Sequence, residues 1–277
     1  MNDPYAPYAP PQHSNQAHAP GWGAQGPGYF QHLYKPLGWR TTACIVGMIA
    51  TVVLGFVQTG TTMAFGDVLR NPAPENLGLI AVLGLVGLLV SAVSIFTWVM
   101  FLVWTHLAAK NVRAFGQDGL EYTPGWAVGW WFIPVASMWK PFDAMREIWR
   151  ASDPETVGRG ASKPWRASVV PGVLTAWWIV YVANGVISLI IAVSNMDFSG
   201  RRATVAAGPT TFISHALLGV AGLFLILLMK RLAANQTESW QRLQSAPANL
   251  AGPGPYGGDP SAAGVYGVPT ASSNPYV

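Results

Sequence analysis

The sequence predicts an all-α integral membrane protein with four transmembrane helices, a short Trp/Pro-rich re-entrant or interfacial helical hairpin, and a cytoplasmic amphipathic helix. Three observations predict it. Only 10% of the 277 residues are Asp, Glu, Lys or Arg, against about 25% in soluble domains. The charges are segregated, leaving uncharged runs at 41–66, 76–109, 122–139, 167–196 and 203–229. Four of these exceed the roughly 20 apolar residues a helix needs to cross a bilayer core, whereas 122–139 is shorter and holds Pro124 and Pro134. So many apolar runs leave too few polar residues to cover them in a water-soluble fold.

The ends of the chain read differently. Residues 1–34 are rich in Pro, Gly, Ala, Gln and Tyr, with Asp3 as their only charge, and 246–277 have a similar Pro/Gly/Ala-rich composition. Such segments bury too little apolar surface to offset the entropy of ordering, so both are expected to be disordered tails around a membrane domain at 35–245. "PYAPYAP" is a short tandem repeat that a proline-reading partner could take, although a solvated tail is the plainer reading. No basic stretch followed by an apolar one opens the chain, so the first span is expected to insert uncleaved. Cys44 is the lone cysteine; it excludes an internal disulfide and reads as a small apolar residue.

The spans follow in order at 42–63, 77–108, 169–194 and 212–229. "NPAPEN" between the first two is a tight proline-broken loop. The second span is long, roughly 50 Å at the usual helical rise, so "WTHLAAKNVRAFG" is expected to leave the membrane as helix and stop near Gly116. Lys and Arg orient the chain. With four spans and a cytoplasmic N-terminus, thirteen of the sixteen basic residues are cytoplasmic, leaving Arg70, Arg201 and Arg202 outside. Counting 122–139 as a fifth span splits them six against ten. The four-span reading gives a multi-pass cell-membrane protein with both termini in the cytoplasm.

The segment "TPGWAVGWWFIPVASMWKPFDAMREIWRAS", residues 123–152, holds five of the thirteen tryptophans. Pro134 breaks helix geometry, and the stretch from Trp126 to Trp139 is too short to cross. Tryptophan favours the headgroup level. Residues 123–139 therefore read as a re-entrant or interfacial hairpin that packs on the other helices, with Gly125 and Gly129 permitting close approach. A helix over 140–152 follows, with Pro141 in its first turn. Phe142, Met145, Ile148 and Trp149 fall on one face, and Asp143, Arg146, Glu147 and Arg150 mostly elsewhere. The charges suit an anionic-lipid or partner contact; a solvated face of an interfacial helix is the plainer reading.

"NVRAFG" at 111–116, followed by that tryptophan-rich stretch, resembles the signature of the bacterial family called domain of unknown function 4328. The likeness extends over about 34–244. It implies a multi-span bacterial membrane protein and brings no activity or catalytic residues with it. Asn111, Arg113, Trp126, Trp130, Trp131, Pro134, Pro141, Arg146, Glu147 and Arg150 match the motif's characteristic positions, and they are the candidate interaction or structural residues.

No Asp, Glu, Lys or Arg falls inside the four spans, which argues against ion-coupled transport. His106 and His215 lie at opposite ends of their spans, too far apart in depth to share a haem. No phosphate-loop, zinc-protease or nucleophile-elbow motif occurs. Asp153 and Glu155, and Asp143 with Glu147, read as a solvated turn and a helix face rather than as catalytic or metal-binding pairs. No enzyme activity and no cofactor are expected. The favoured function is a non-enzymatic scaffold, or partner- or lipid-interaction module, acting through 123–152. Its expected partners are membrane lipids, anionic headgroups among them, and a protein; nucleic acid is not expected. The alternative is a passive channel or small-molecule or lipid transporter, which four spans would support only as a homo-oligomer. An intramembrane enzyme using His106, Asn111 and Arg113 is the weakest reading.

Overall fold

A computed structural model describes residues 34–70, 73–117, 119–158, 164–194 and 207–245. The expected tail disorder at 1–33 and 246–277 lies outside the described residues. The helices are α1 (Gly38–Ala64), α2 (Gly66–Arg70), α3 (Leu77–Ala114), α4 (Pro124–Gly129), α5 (Lys140–Ala151), α6 (Gly172–Ser194) and α7 (Ala207–Ser245). Short 3-10 turns lie at Pro74–Asn76, Trp130–Phe132, Ala136–Met138 and Trp165–Ala167, and no strand occurs among the described residues. Helices α1, α3, α6 and α7 are each long and apolar enough to cross a membrane. The protein is thus an all-α multi-span membrane protein.

The spans form an open row. α6 packs on α7, α7 on α1, and α1 on α3, while α3 and α6 make little direct contact. Two glycines of α1 let it sit between its neighbours. A Cβ on Gly47 would lie 2.5 Å from Thr97 Oγ1 of α3, and one on Gly55 would lie 2.3 Å from His215 Cδ2 of α7. Gly125 has no such neighbour, and a Cβ on Gly129 would meet only Trp126 of its own helix. The close approaches expected at "GWAVG" are therefore made by α1, because small residues matter only where two backbones converge. Between α6 and α7, Ser214 Oγ donates to Asn184 Oδ1 at 2.7 Å.

Two helices outrun a bilayer. α3 has 38 residues and α7 has 39, about 57 Å each at the standard rise against a hydrocarbon core of about 30 Å. α3 stops where its length predicts, with Gly116 in the left-handed region (φ 72°). α7 was expected to end near Met229. It continues to Ser245 because Leu228, Leu232, Gln236 and Ser239 keep one face buried beyond the Lys230–Arg231 pair. α6 begins after Pro171, at Gly172 rather than at Val169, since proline disfavours helix in the residue before it.

The core lies at the end of the bundle where these two helices protrude. Trp104, Ala108, Val112, Ala144, Met145, Ile148, Leu228 and Leu232 are buried together there. Toward the other end the apolar side chains face outward: Leu85, Leu88 and Ile95 are 66%, 67% and 65% exposed. Such a surface fits lipid as its solvent. Tyr34, placed in the tail by composition, instead stacks on Trp240 with ring centroids 4.8 Å apart.

Candidate functional site

Local chemistry shapes the hairpin. The Thr123 hydroxyl caps α4 by accepting from the Trp126 N–H at 3.2 Å, and Pro124 occupies the first turn, where its missing donor does no harm. The helix tightens to 3-10 over Trp130–Phe132, and Ile133 turns extended (φ −99°, ψ 107°). Pro134 imposes that, because it crowds an α-conformation in the residue before it. Ser137 Oγ then donates to Pro134 O at 2.7 Å. After Ala136–Met138, α5 starts with Pro141 in its first turn.

The contacts trace a path in and back. Arg113 Nη2 donates to Tyr122 O at 3.0 Å. His106, one to two turns earlier in α3, meets Pro124 O at 3.1 Å. Trp131 reaches Trp98, with centroids 5.1 Å apart. The return brings Lys140 Nζ to Tyr122 Oη at 3.3 Å. The hairpin thus runs about 22 Å along α3 at the standard rise and comes back to its starting level. Its outer surface is apolar: Trp126, Phe132, Val135, Met138 and Trp139 are exposed.

Trp131 fills the gap in the row of spans. Its ring stands edge-on to Phe101 of α3 at 5.4 Å, and to Trp178 and Tyr181 of α6, both at 5.8 Å. Edge-to-face contacts at these distances are favourable beyond the area they bury. α3 and α6 are therefore joined through one hairpin side chain.

The charges divide into two groups. Glu147 accepts from the N–H groups of Glu121 (2.7 Å) and Tyr122 (3.0 Å), while Arg113 holds the Tyr122 carbonyl. These two side chains grip the hairpin's first peptide units from both sides. Arg146 and Arg150 are looser. Arg146 lies 3.6 Å from Asp143, and the Nε atoms of both arginines are buried without a hydrogen-bond partner among the described residues. The apolar face of α5 is not laid on lipid as an interfacial helix would be. Met145 and Ile148 belong to the protein core, with Phe142 and Trp149 packed at its margin.

Burial raises the Glu147 pKa above the usual glutamate range, although the two backbone N–H groups and Arg113 favour the charge. The folded state therefore binds more protons than the unfolded one in a window beginning at the ordinary value and extending upward. Stability contributed by this group is lost as pH rises through that window. As pH falls from neutral, wild type should gain stability relative to Glu147→Gln, read as a widening difference in Tm. Parallel Tm curves would show that Glu147 does not carry the dependence.

Asn111 belongs to a separate buried network. Its Oδ1 accepts from Lys35 N, and its Nδ2 donates to Lys35 O and Gln236 Oε1, each at 2.9 Å. Gln236 Nε2 donates to Ala108 O (3.0 Å) and Ser152 Oγ (2.9 Å), and Ser239 Oγ to Ser152 O (3.1 Å). Asn111, Ser152, Gln236 and Ser239 are all fully buried. Four chain segments meet here with both amides satisfied. Asn111 is thereby a structural lock at some remove from the hairpin.

Lys35, Ser152, Gln236 and Ser239 were not singled out from the sequence. One signal was present: Leu225, Leu228, Leu232, Gln236 and Ser239 continue a helical stripe past the charge pair. Of the remaining residues, Pro141 is buried and Pro134 exposed, and Trp126 and Trp130 pack on each other at 4.8 Å. His215 meets Thr211 O at 2.9 Å. Asp153 accepts from Ser168 Oγ at 2.7 Å, and Glu155 pairs with Arg242 at 2.7 Å, so this loop is pinned to its surroundings.

A model of the family described as a domain of unknown function (DUF4328) matches residues 78–234. No curated protein and no solved structure matches the chain.

Proposed function

The chain belongs to the DUF4328 family, and we propose that it is a non-enzymatic membrane scaffold that docks anionic lipid headgroups on the 123–152 motif at its cytoplasmic end. One observation carries this reading. Among the described residues, six buried side-chain N or O atoms lack a partner, and four belong to the motif: the Nε atoms of Arg146 and Arg150 and the Nε1 atoms of Trp130 and Trp131, with Arg113 Nε on α3 as a fifth. All five are N–H donors, and the headgroup docks on those of Arg146 and Arg150. Native structures leave few such groups unpaired, and an acceptor-rich anion answers donors. Arginine suits phosphate through its planar fork.

The setting supports the same reading. The exposed tryptophans and aliphatic side chains of the hairpin suit the headgroup boundary, and on this reading Arg146 and Arg150 lie beside the lipid phosphates. The thirteen-to-three distribution of Lys and Arg favours the cytoplasmic side for this end, where anionic lipids are concentrated.

Deleting 123–152 would remove core residues, so the test uses charge substitutions in the full chain. Wild type and Arg146→Gln/Arg150→Gln are placed in bilayer discs of mixed zwitterionic and anionic phospholipid, and the lipids retained on detergent extraction are counted. At about 1 kcal/mol for each basic residue near a membrane surface, the double variant should lose roughly 30-fold of its anionic preference. Lys230→Gln, a single exposed charge on α7, should lose no more than about fivefold. Equal enrichment in wild type and the double variant would refute headgroup docking.

A further inference from the structure

The open row of spans encloses a cavity of about 170 Å³, lined by Met48 of α1, Trp98 of α3, Trp131 of the hairpin, Trp177 and Tyr181 of α6, and Gly222 of α7. Its wall is almost wholly apolar. The threonine and serine hydroxyls in the wall are already engaged. Thr97 Oγ1 donates to Val93 O (2.8 Å) and Ser94 Oγ to Val90 O (2.8 Å), and Thr51 pairs with Thr97 at 3.3 Å. Water needs two or more polar partners to settle in a cavity, and an apolar space of about 150 Å³ stays dry and takes up a molecule such as benzene. This cavity therefore suits hydrocarbon and offers water little.

Its position decides where the hydrocarbon comes from. All four helices that line it are membrane-crossing by length and composition. The cavity is partly open, and Trp131 bridges α3 and α6, the ends of the row. The medium around these spans is the acyl region of the bilayer. The volume suits a segment of one chain and excludes a headgroup.

We propose that this cavity is a binding site for one acyl chain of a bilayer lipid, which packs against Trp98, Trp131, Trp177 and Tyr181. Through Trp131 the chain would brace the hairpin against both spans. The site stands apart from headgroup docking, because none of its walls uses the arginines of α5.

Gly222 provides the test. It lines the cavity, and a Cβ there would have no atom within 4 Å, so Gly222→Leu extends into the space without collision at its Cβ. The full chain is reconstituted in vesicles doped with a phospholipid carrying a photoreactive diazirine midway along one acyl chain, irradiated, and mapped by mass spectrometry. Two sets of labels are expected. Those on Trp98, Trp131 or Tyr181 should saturate at low probe fraction, whereas those on lipid-facing Leu85, Leu88 and Leu189 should rise in proportion to the probe. In Gly222→Leu the first set should fall at least tenfold and the second stay unchanged. Absence of the first set from wild type, or its rise in step with the second, would overturn the proposal without reference to any variant. So would its persistence in a folded Gly222→Leu protein. Arg146→Gln/Arg150→Gln should leave the cavity labels intact, so failure of headgroup docking and failure of the acyl site are told apart.

Discussion

Asn111→Ala should be among the most destabilising single substitutions in the chain. It removes three hydrogen bonds at 2.9 Å, leaving Gln236 Oε1 without that partner in a fully buried setting and Lys35 N–H and C=O without theirs in a part-buried one. A buried polar group stripped of its partner costs roughly 1–3 kcal/mol, so the sum should reach about 3 kcal/mol or more. The consequence should be concentrated at one end of the molecule: the segment before α1 should detach from α3, and α7 should loosen beyond Met229. Tm in detergent reads the first effect, and proteolysis between Lys230 and Ser245 reads the second. Gln244→Ala, on the exposed face of the same stretch of α7, should shift Tm little, as surface changes usually do. If Asn111→Ala melted like Gln244→Ala, the network would not be holding these segments.

The second large effect is steric and lies among the spans. In Gly55→Val the new Cβ would begin 2.3 Å from His215 Cδ2. His215 has little freedom to yield, because its Nδ1 is engaged by Thr211 O at 2.9 Å and lies 3.4 Å from Thr59 Oγ1. Overpacking typically costs about 1–3 kcal/mol, and here the relief available is to spread α1 from α7. Gly60→Val, in the same helix with nothing within 4 Å of its Cβ position, is the control and should be close to neutral. A cysteine pair across the α1–α7 contact should cross-link less readily in Gly55→Val and normally in Gly60→Val. Equal cross-linking in the two would mean that the close approach is not needed.

These residues differ in how well the sequence revealed them. The four spans were legible because burial in lipid demands an unbroken apolar run, a property each segment carries alone. The protrusion of α3 followed from its length, and the break in the hairpin from Pro134. Asn111, Arg113, Glu147 and the tryptophans stood out through the family resemblance, but their roles did not. Glu147 looked like part of a charged helix face, and with Arg113 it grips backbone groups at Glu121 and Tyr122. Met145 and Ile148 looked suited to lipid, and they lie in the protein core.

By itself, the sequence determined the class of protein, the number of spans, the place where α3 ends and the site of the proline-broken turn. Each of these depends on neighbours within a few residues: hydropathy along a run, the missing donor of proline, the conformational freedom of Gly116. Tertiary structure alone decided that Asn111 meets Gln236 across 125 positions, that Gly47 and Gly55 are the points of closest approach, and that Trp131 closes a row of helices over an apolar cavity. The reason is that a polar group, a small residue or an indole ring takes its role from what lies opposite, and in a bundle of long helices the opposite residue is far away in the chain.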